Sequence, residues 1–255
     1  MNEIVEMFMN NVKGKCFVKG EGCKHDGSEG HWLEGLMGIK KNSSNKPDLL
    51  GYEMKKSSSK ISFGDWRSSC YLFEKTNKKQ KFALSCDISI NKKTFLMMFG
   101  QYNREKDRYS WSGKCFPKYG DYNEYGQRFI FDENNNLFCE YSFDHDKRNE
   151  KINVVSDYFI KDKPITLAIW TREKLGKHVN NKFNVEGFFI CMKDKKTGIY
   201  EKICFGKKID FQLFVENFKK GIIYLDSGMT EGKSRYYSTF RASKQFFNSL
   251  IFAEF

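Results

Sequence analysis

The sequence has no apolar run that approaches the roughly 20 residues of a transmembrane helix, and no basic signal-peptide leader opens it. Residues 1–12 instead place Ile4, Phe8 and Val12 at helical spacing, with acidic residues between them. We therefore expect an ordinary N-terminal helix, no association with a membrane, and a cytoplasmic location.

The eight cysteines include no C-x-x-C pair. A zinc site needs cysteine and histidine clustered at short spacings, and only Cys23-Lys24-His25 comes close, so the sequence argues against zinc. Cys86, Cys139 and Cys191 lie within apolar, strand-like runs. In a chain without a secretory signal, this pattern predicts reduced and mostly buried cysteines rather than disulfides.

The sequence also contains no internal repeats, no low-complexity segments and no clear interdomain linker. Apolar residues make up 40% of the chain and aromatic residues 16%, which excludes a disordered protein. A chain of 255 residues can bury a substantial core. These properties predict one large domain or two lobes.

Positive charge is in excess. The formal net charge is +12 and the pI is about 9.2, so the preferred partner is expected to be polyanionic. Nucleic acid is the leading candidate. A membrane surface is the rival, which the lack of a long apolar run disfavours.

The apolar pattern predicts several secondary-structure elements. We expect helices over 28–38, from Ser28 to the stop at Gly38, and over 211–218, stopped by Gly221. Hairpins are expected for three pairs of segments, which are 82–90 with 94–99 across Asn91-Lys92-Lys93, 128–131 with 137–143, and 188–192 with 199–205.

Segment 46–55 reads KPDLLGYEMK. Residues 49–54 predict a short strand, in which Glu53 and Lys55 project to the same face. Asp48 lies where a turn can bring its carboxylate toward Glu53. Two carboxylates beside an ammonium group are typical of a Mg²⁺ site that acts on phosphate, in which the metal activates a water and the lysine stabilises the developing charge. The spacing alone is equally consistent with a surface strand that carries an ion pair.

The residues of this region, 28–39 and 42–55, resemble the catalytic region of the MvaI/BcnI family of type II restriction endonucleases. These enzymes are relatives of the mismatch-repair nickase MutH within the PD-(D/E)xK nuclease fold. In this resemblance Pro47-Asp48 is the first pair of the motif, Glu53 the acidic position and Lys55 the lysine. Asp48 and Glu53 are then the implied metal ligands.

The residues on either side of the motif are also informative. Glu34, on the predicted helix 28–38, matches a helix glutamate that joins the active site in MutH-like nucleases, and a solvent-exposed helix glutamate is the alternative. The stretch 56–60, KSSSK, is suited to phosphate contacts, and a flexible solvated loop is the alternative there.

Segments 109–118 and 222–243 also resemble the family, the second resembling its DNA-recognition part. Asp226 and Arg241 are predicted to read bases, because arginine can donate to guanine O6 and N7 and aspartate can accept from cytosine N4. Lys233 and Arg235 are predicted to contact phosphates, which position the protein without reading sequence.

The resemblance implies a mixed α/β (α+β) nuclease core, in which a mixed sheet is flanked by helices. It implies a catalytic lobe centred on 28–100 and a recognition lobe that includes much of 101–245. It also implies a bacterial, Mg²⁺-dependent monomer that binds double-stranded DNA and cuts a short pseudopalindromic CC-N-GG type site one strand at a time. A cognate DNA methyltransferase would be encoded nearby without being a physical partner.

Two alternatives remain open. One is a MutH-like or GATC-type nicking endonuclease. The other is a basic DNA-binding protein that has lost catalysis, against which the intact Asp48, Glu53 and Lys55 argue.

Overall fold

The computed structural model describes residues 1–18, 27–40, 44–82, 90–160 and 163–255. Helices and strands are both present, which confirms the mixed α/β class. The helices are α1 (Asn2–Asn11), α2 (Ser28–Leu36), α3 (Thr76–Lys81), α4 (Lys92–Phe99), α5 (Lys151–Val154), α6 (Arg172–Phe183), α7 (Phe211–Lys219) and α8 (Lys244–Ser249). None of the helices in these ranges is long and apolar enough to span a membrane.

Within these described ranges the strands form four sheets. They are β1 (Tyr52–Lys56), β2 (Lys60–Asp65), β3 (Cys70–Tyr71), β4 (Gln101–Asn103), β5 (Arg108–Trp111), β6 (Tyr125–Phe131), β7 (Leu137–Asp146), β8 (Ile165–Trp170), β9 (Gly187–Lys193), β10 (Tyr200–Gly206), β11 (Ile223–Ser227), β12 (Met229–Thr230), β13 (Ser238–Ser243) and β14 (Ile251–Glu254).

The chain divides into two compact units. The first comprises Met1–Ile61, Lys177–Phe214 and Ala242–Phe255, and the second comprises Ser62–Gly176 and Val215–Arg241. The assignment of catalysis to one lobe and recognition to another stays a prediction.

The first unit is built on a sheet with the strand order β1-β9-β10-β14. Strand β1 runs parallel to β9, with Glu53 opposite Phe188, and the other pairs are antiparallel. On one face Met54 packs with buried residues of α1 and α2, including Phe8 and Leu33. On the other face the ring of Phe188 lies 5.1 Å from that of Phe247 in α8. Because side chains of a strand alternate between faces, helices contribute to both sides of this sheet.

The second unit contains the antiparallel sheet β3-β8-β7-β6 and the small sheet β12-β5-β4. Most of the third sheet, β11-β13-β2, also belongs to it. Its core is rich in aromatic side chains, and Phe99, Trp111, Phe129 and Trp170 are all buried. The indole nitrogen of Trp111 donates to Gln127 Oε1 at 2.7 Å, which satisfies its polar atom in the core.

The sequence predicted several of these elements correctly. The pairing of β6 with β7 and of β9 with β10 confirms two predicted hairpins. Helix α7 agrees with the predicted helix over 211–218. Helix α2 stops where Gly38 takes a φ of 73°, as expected.

The hairpin predicted across Asn91-Lys92-Lys93 is wrong. Residues 92–99 form helix α4, and the Asn91 side chain caps it by accepting from Thr94 N at 2.9 Å. Asparagine is a favoured N-cap residue, and the run Phe95-Leu96-Met97-Met98-Phe99 buries Phe95, Leu96 and Phe99 at helical spacing. The other half of the predicted hairpin lies mostly in 83–89, outside the described residues.

The described cysteines are Cys16, Cys70, Cys115, Cys139, Cys191 and Cys204, and all six are free thiols. All but Cys16 are buried, as the sequence predicts. Cys23 and Cys86, and the cluster Cys23-Lys24-His25, lie outside the described ranges.

Candidate active site

A tight turn precedes strand β1 and positions the first acid of the motif. Leu49 and Tyr52 exchange two backbone hydrogen bonds, of 3.0 and 2.8 Å, across Leu50 and Gly51, whose φ angles are 49° and 85°. The strand therefore begins at Tyr52, and the predicted start at Leu49 is wrong. Two positive φ angles at the centre of a turn reverse the chain sharply. Asp48 is folded back onto the strand as a result, and its Oδ2 accepts from Met54 N at 2.9 Å.

Glu53 and Lys55 project from the same face of β1, as the alternation of side chains predicts. Lys55 Nζ donates to Glu53 Oε1 at 2.7 Å. Only 2% of the Glu53 side chain and 10% of the Lys55 side chain are exposed. The alternative of a surface ion pair does not describe this arrangement, because both groups are buried.

A second lysine reaches the same carboxylate from helix α6. Lys182 Nζ lies 3.0 Å from Glu53 Oε1. The next residue, Phe183, places its ring 5.2 Å from Lys55 Nζ, within the range of a cation–π contact. Sequence reasoning missed Lys182, because the basic character of 172–182 gives no sign of which lysine would approach residues near position 50.

The electrostatics of the site are those of a crowded, partly desolvated cluster. Burial, followed by the charge of Glu53, raises the pKa of Asp48 to about 6, although Lys55, the Met54 N–H and Lys182 oppose the shift. Burial also lowers the pKa of Lys55, against the attraction of Glu53. Asp48 thus exchanges its proton closer to neutral pH than an ordinary aspartate does.

The acidic groups fit a hard divalent cation. Glu53 Oε2 is buried and accepts no hydrogen bond from the described residues. Within the described ranges no cluster of three or more His, Cys, Asp and Glu side chains could hold a metal. A pair of carboxylates, completed by water, suits Mg²⁺, which binds oxygen and keeps several waters, better than it suits zinc.

Glu34 lies on α2, where its Oε2 is 3.1 Å from His31 Nδ1 and its side chain is 34% exposed. Helix α2 packs with Met54, on the face of β1 opposite to Glu53. The participation of Glu34 in catalysis stays a prediction.

The two predicted base readers lie together on neighbouring strands of the second unit. Arg241 Nε, on β13, donates to Asp226 Oδ2, on β11, at 2.8 Å. Both side chains are partly exposed, at 32% for Arg241 and 49% for Asp226. The two side chains could contact a base pair together, because the Arg241 guanidinium donates hydrogen bonds and the Asp226 carboxylate accepts them.

The predicted phosphate contacts lie on the loop between β12 and β13. Arg235 makes two hydrogen bonds to Asp65 Oδ2, at 3.1 and 2.8 Å, and its guanidinium lies 4.7 Å from the ring of Tyr237. The backbone carbonyl of Lys233 accepts from Lys92 Nζ. Arg235 is thus held in place, with 65% of its side chain exposed.

Comparison with known proteins identifies the family. The family model described as LlaMI restriction endonuclease matches residues 15–255. Type II restriction enzyme ScrFI of Lactococcus lactis subsp. cremoris is 38% identical over 262 residues, covering 97% of this chain and 96% of that enzyme.

The fold is similar to that of restriction endonuclease MvaI in complex with its cognate DNA substrate, with a TM-score of 0.58 and 12% identity over 100% of this chain and 96% of that chain. At such identity the likeness shows the fold alone, and it confirms the predicted restriction-endonuclease-like core. With the sequence relationships, it follows that this chain belongs to the LlaMI restriction endonuclease family and is a type II restriction endonuclease, a site-specific deoxyribonuclease.

Proposed function

We propose that Asp48, Glu53 and Lys55 form a Mg²⁺-dependent site that hydrolyses phosphodiester bonds of double-stranded DNA. The observation that carries the proposal is the buried Glu53 Oε2, which lacks a hydrogen-bond partner among the described residues while Oε1 meets two lysines. A buried acceptor left unpaired costs about 1–3 kcal/mol. A hard cation held by Glu53 and Asp48 would remove that cost.

Each residue of the proposed site has a separate role in hydrolysis. Mg²⁺, when bound, supplies Lewis-acid stabilisation of the phosphate and a water of lowered pKa. Asp48 and Glu53 would hold it through carboxylate oxygens, with Asp48 anchored by its hydrogen bond from Met54 N. Lys55 is placed to transfer a hydrogen bond from Glu53 to a phosphate oxygen as negative charge develops there. Lys182 keeps Glu53 partnered when Lys55 turns away.

We also propose a specific DNA target and an order in which its strands are cut. The target is a short pseudopalindromic site of the CC-N-GG type, and a monomer cuts its two strands in turn. A cognate methyltransferase protects the host DNA. The support is the resemblance of segments 28–55, 109–118 and 222–243 to the MvaI/BcnI family, together with the likeness in fold to MvaI.

A plasmid digestion tests these points together. Supercoiled DNA incubated with the enzyme and Mg²⁺ is expected to give nicked circles before linear DNA, and sequenced ends should share a CC-N-GG motif. Undiminished cleavage in EDTA would contradict the metal. Linear DNA formed without a nicked intermediate would contradict cutting of one strand at a time.

A further inference from the structure

A basic groove lies at the C-terminal end of strand β1, and none of the residues of the candidate active site lines it. Its lining comprises Ser57, Ser58, Ser59, the turn 193–198 between β9 and β10, and Lys244, all within the first unit. The groove encloses about 550 Å³. Strands β1 and β9 are parallel, with Lys56 opposite Cys191, so the segments that follow them meet at the same edge of the sheet.

The groove presents ammonium and hydroxyl groups with little opposing charge. Among the described residues, Lys195, Lys196 and Lys244 have no carboxylate within salt-bridge distance. The acid in the lining is Asp194, whose Oδ1 accepts from Lys196 N at 2.8 Å, Thr197 N at 2.7 Å and Thr197 Oγ1 at 3.0 Å. Asp194 therefore fixes the turn, which leaves the side chains of Lys195 and Lys196 exposed.

One side of the groove is held together by the partly buried carboxylate of Glu29. Lys193 Nζ donates to Glu29 Oε1 at 2.7 Å, and Glu29 also accepts from Lys56 at 3.0 Å and from the Tyr200 hydroxyl at 2.9 Å. Burial opposes ionisation, but these hydrogen bonds hold the pKa of Glu29 below its ordinary value. Helix α2, β1, β9 and β10 are thereby tied together at the groove. Lys244 is tied to the other side by its backbone N–H, which donates to Ser59 O at 3.1 Å.

We propose that this groove binds a backbone phosphate of the DNA beside the one that is cut. Ser57 follows Lys55 by two residues, which corresponds to about 7 Å along a strand. Successive nucleotides of one strand of the duplex rise about 3.4 Å each, so a phosphate in the groove lies one or two nucleotides from the cut. Lysine and serine groups are suited to such contacts, which position the duplex without reading its sequence. The inference rests on the proposed function in one respect, because the duplex must reach Lys55.

The first test removes two positive charges from the groove and compares the effect on DNA binding with that of removing two positive charges elsewhere. The groove variant is Lys195→Ala with Lys196→Ala. The control is Lys207→Ala with Lys208→Ala, an exposed pair in the same unit that follows the other end of β10. The six residue steps of β10 separate the two ends by about 20 Å. All four side chains are exposed, so both variants are expected to fold, which thermal melting checks.

Binding to a non-cognate duplex is measured in EDTA across a range of salt concentrations. The plot of log K against log salt should become shallower by about 0.9 in the groove variant, since the groove holds one phosphate and each lost phosphate contact changes the slope by about 0.9. The control should change it by less than half of that. Equal changes in the two variants would overturn the proposal, because they would reflect net charge alone. Cleavage plays no part in this assay, so failure of the metal site would not affect its result.

The second test places the phosphate. A neutral methylphosphonate replaces one phosphate at a time, at successive positions near the cut on both strands of a cognate duplex. One or two positions adjacent to the cut should weaken binding by the wild type and have no further effect on the groove variant, as expected for a pair of groups in contact. Additive losses at every position would overturn the assignment.

Discussion

At the scale of single residues, the candidate active site lowers the stability of the folded protein. Asp48 and Glu53 are both acidic and largely removed from water, and burial is the main reason that the pKa of Asp48 rises from 3.8 to about 6. In the proposed metal site, like charges lie together when no cation is bound, which favours the protonated acid. Stability and metal binding are therefore expected to be coupled at Asp48.

The sign of this coupling gives a prediction. The folded protein binds the Asp48 proton more tightly than the unfolded chain, so Asp48 makes stability fall as pH rises from about 3.8 to about 6. Asp48→Asn should be more stable than the wild type above pH 6, by at most about 3 kcal/mol, and equal to it below pH 4. Urea denaturation between pH 4 and pH 8, without divalent cations, measures the difference. A pH-independent difference would mean that Asp48 is not desolvated as described.

The pair Asp226–Arg241 is expected to read sequence. Arg241→Ala should weaken binding to the cognate site by about 1–3 kcal/mol and binding to random DNA far less. Lys233→Ala and Arg235→Ala should weaken both by similar factors and make the salt dependence shallower. Titrations of the four proteins with the two duplexes give the comparison. If Arg241→Ala lowers both affinities equally, Arg241 contacts the backbone and the base reader lies elsewhere.

At the scale of elements, the turn before β1 decides whether the motif can assemble. Gly51 has a φ of 85°, and an added Cβ would lie 2.9 Å from Glu186 Cγ. An L-residue other than glycine costs about 1–2 kcal/mol in a left-handed conformation. The turn is thus short and strained, and it brings the Asp48 carboxylate back to the backbone N–H of Met54.

Replacing this glycine should affect both stability and activity. Gly51→Ala is expected to lower the free energy of unfolding by about 1–2 kcal/mol and to slow cleavage, because the turn holds Asp48. Gly30→Ala in α2 is the matched control, since nothing lies within 4 Å of its added Cβ. The control should be neutral or stabilising, as alanine favours a helix interior. Unchanged cleavage by Gly51→Ala would show that Asp48 does not depend on the turn.

The sequence was informative where one local pattern determines an element. Alternating apolar residues predicted the hairpins β6–β7 and β9–β10, and the period of two placed Glu53 beside Lys55. It was misleading around Asn91, because a short apolar run fits strand and helix alike and the cap decided the outcome. Lys182 could not be predicted, since its approach to Glu53 depends on the packing of α6 and leaves no local pattern.

At the scale of the whole molecule, the family relationship spans nearly the full chain, whereas the candidate active site draws on separate segments of it. The family model covers residues 15–255, and the four groups of the site come from positions 48–55 and 182. The net charge of +12 is distributed along the sequence, so electrostatic attraction to DNA is expected to involve many basic residues.

This charge predicts a steep salt dependence. Affinity for random duplex DNA should fall strongly as salt rises through the physiological range, since each neutralised phosphate releases counterions. Fluorescence anisotropy with a labelled duplex, in EDTA, measures it. Affinity that stays flat across moderate salt would show that basic residues contribute little to binding.

The carboxylates of Asp48 and Glu53 are expected to act in cleavage and not in DNA affinity. The most direct measurement is single-turnover cleavage of a cognate duplex by Glu53→Gln and the wild type, with Mg²⁺ and enzyme at saturating concentration. Affinity is measured in parallel with Ca²⁺, and Glu3→Gln on α1 is the control. Glu53→Gln is expected to bind the duplex normally and not to cut it, while Glu3→Gln is expected to cut it at the wild-type rate. Cleavage by Glu53→Gln at a rate near that of the wild type would contradict the assignment.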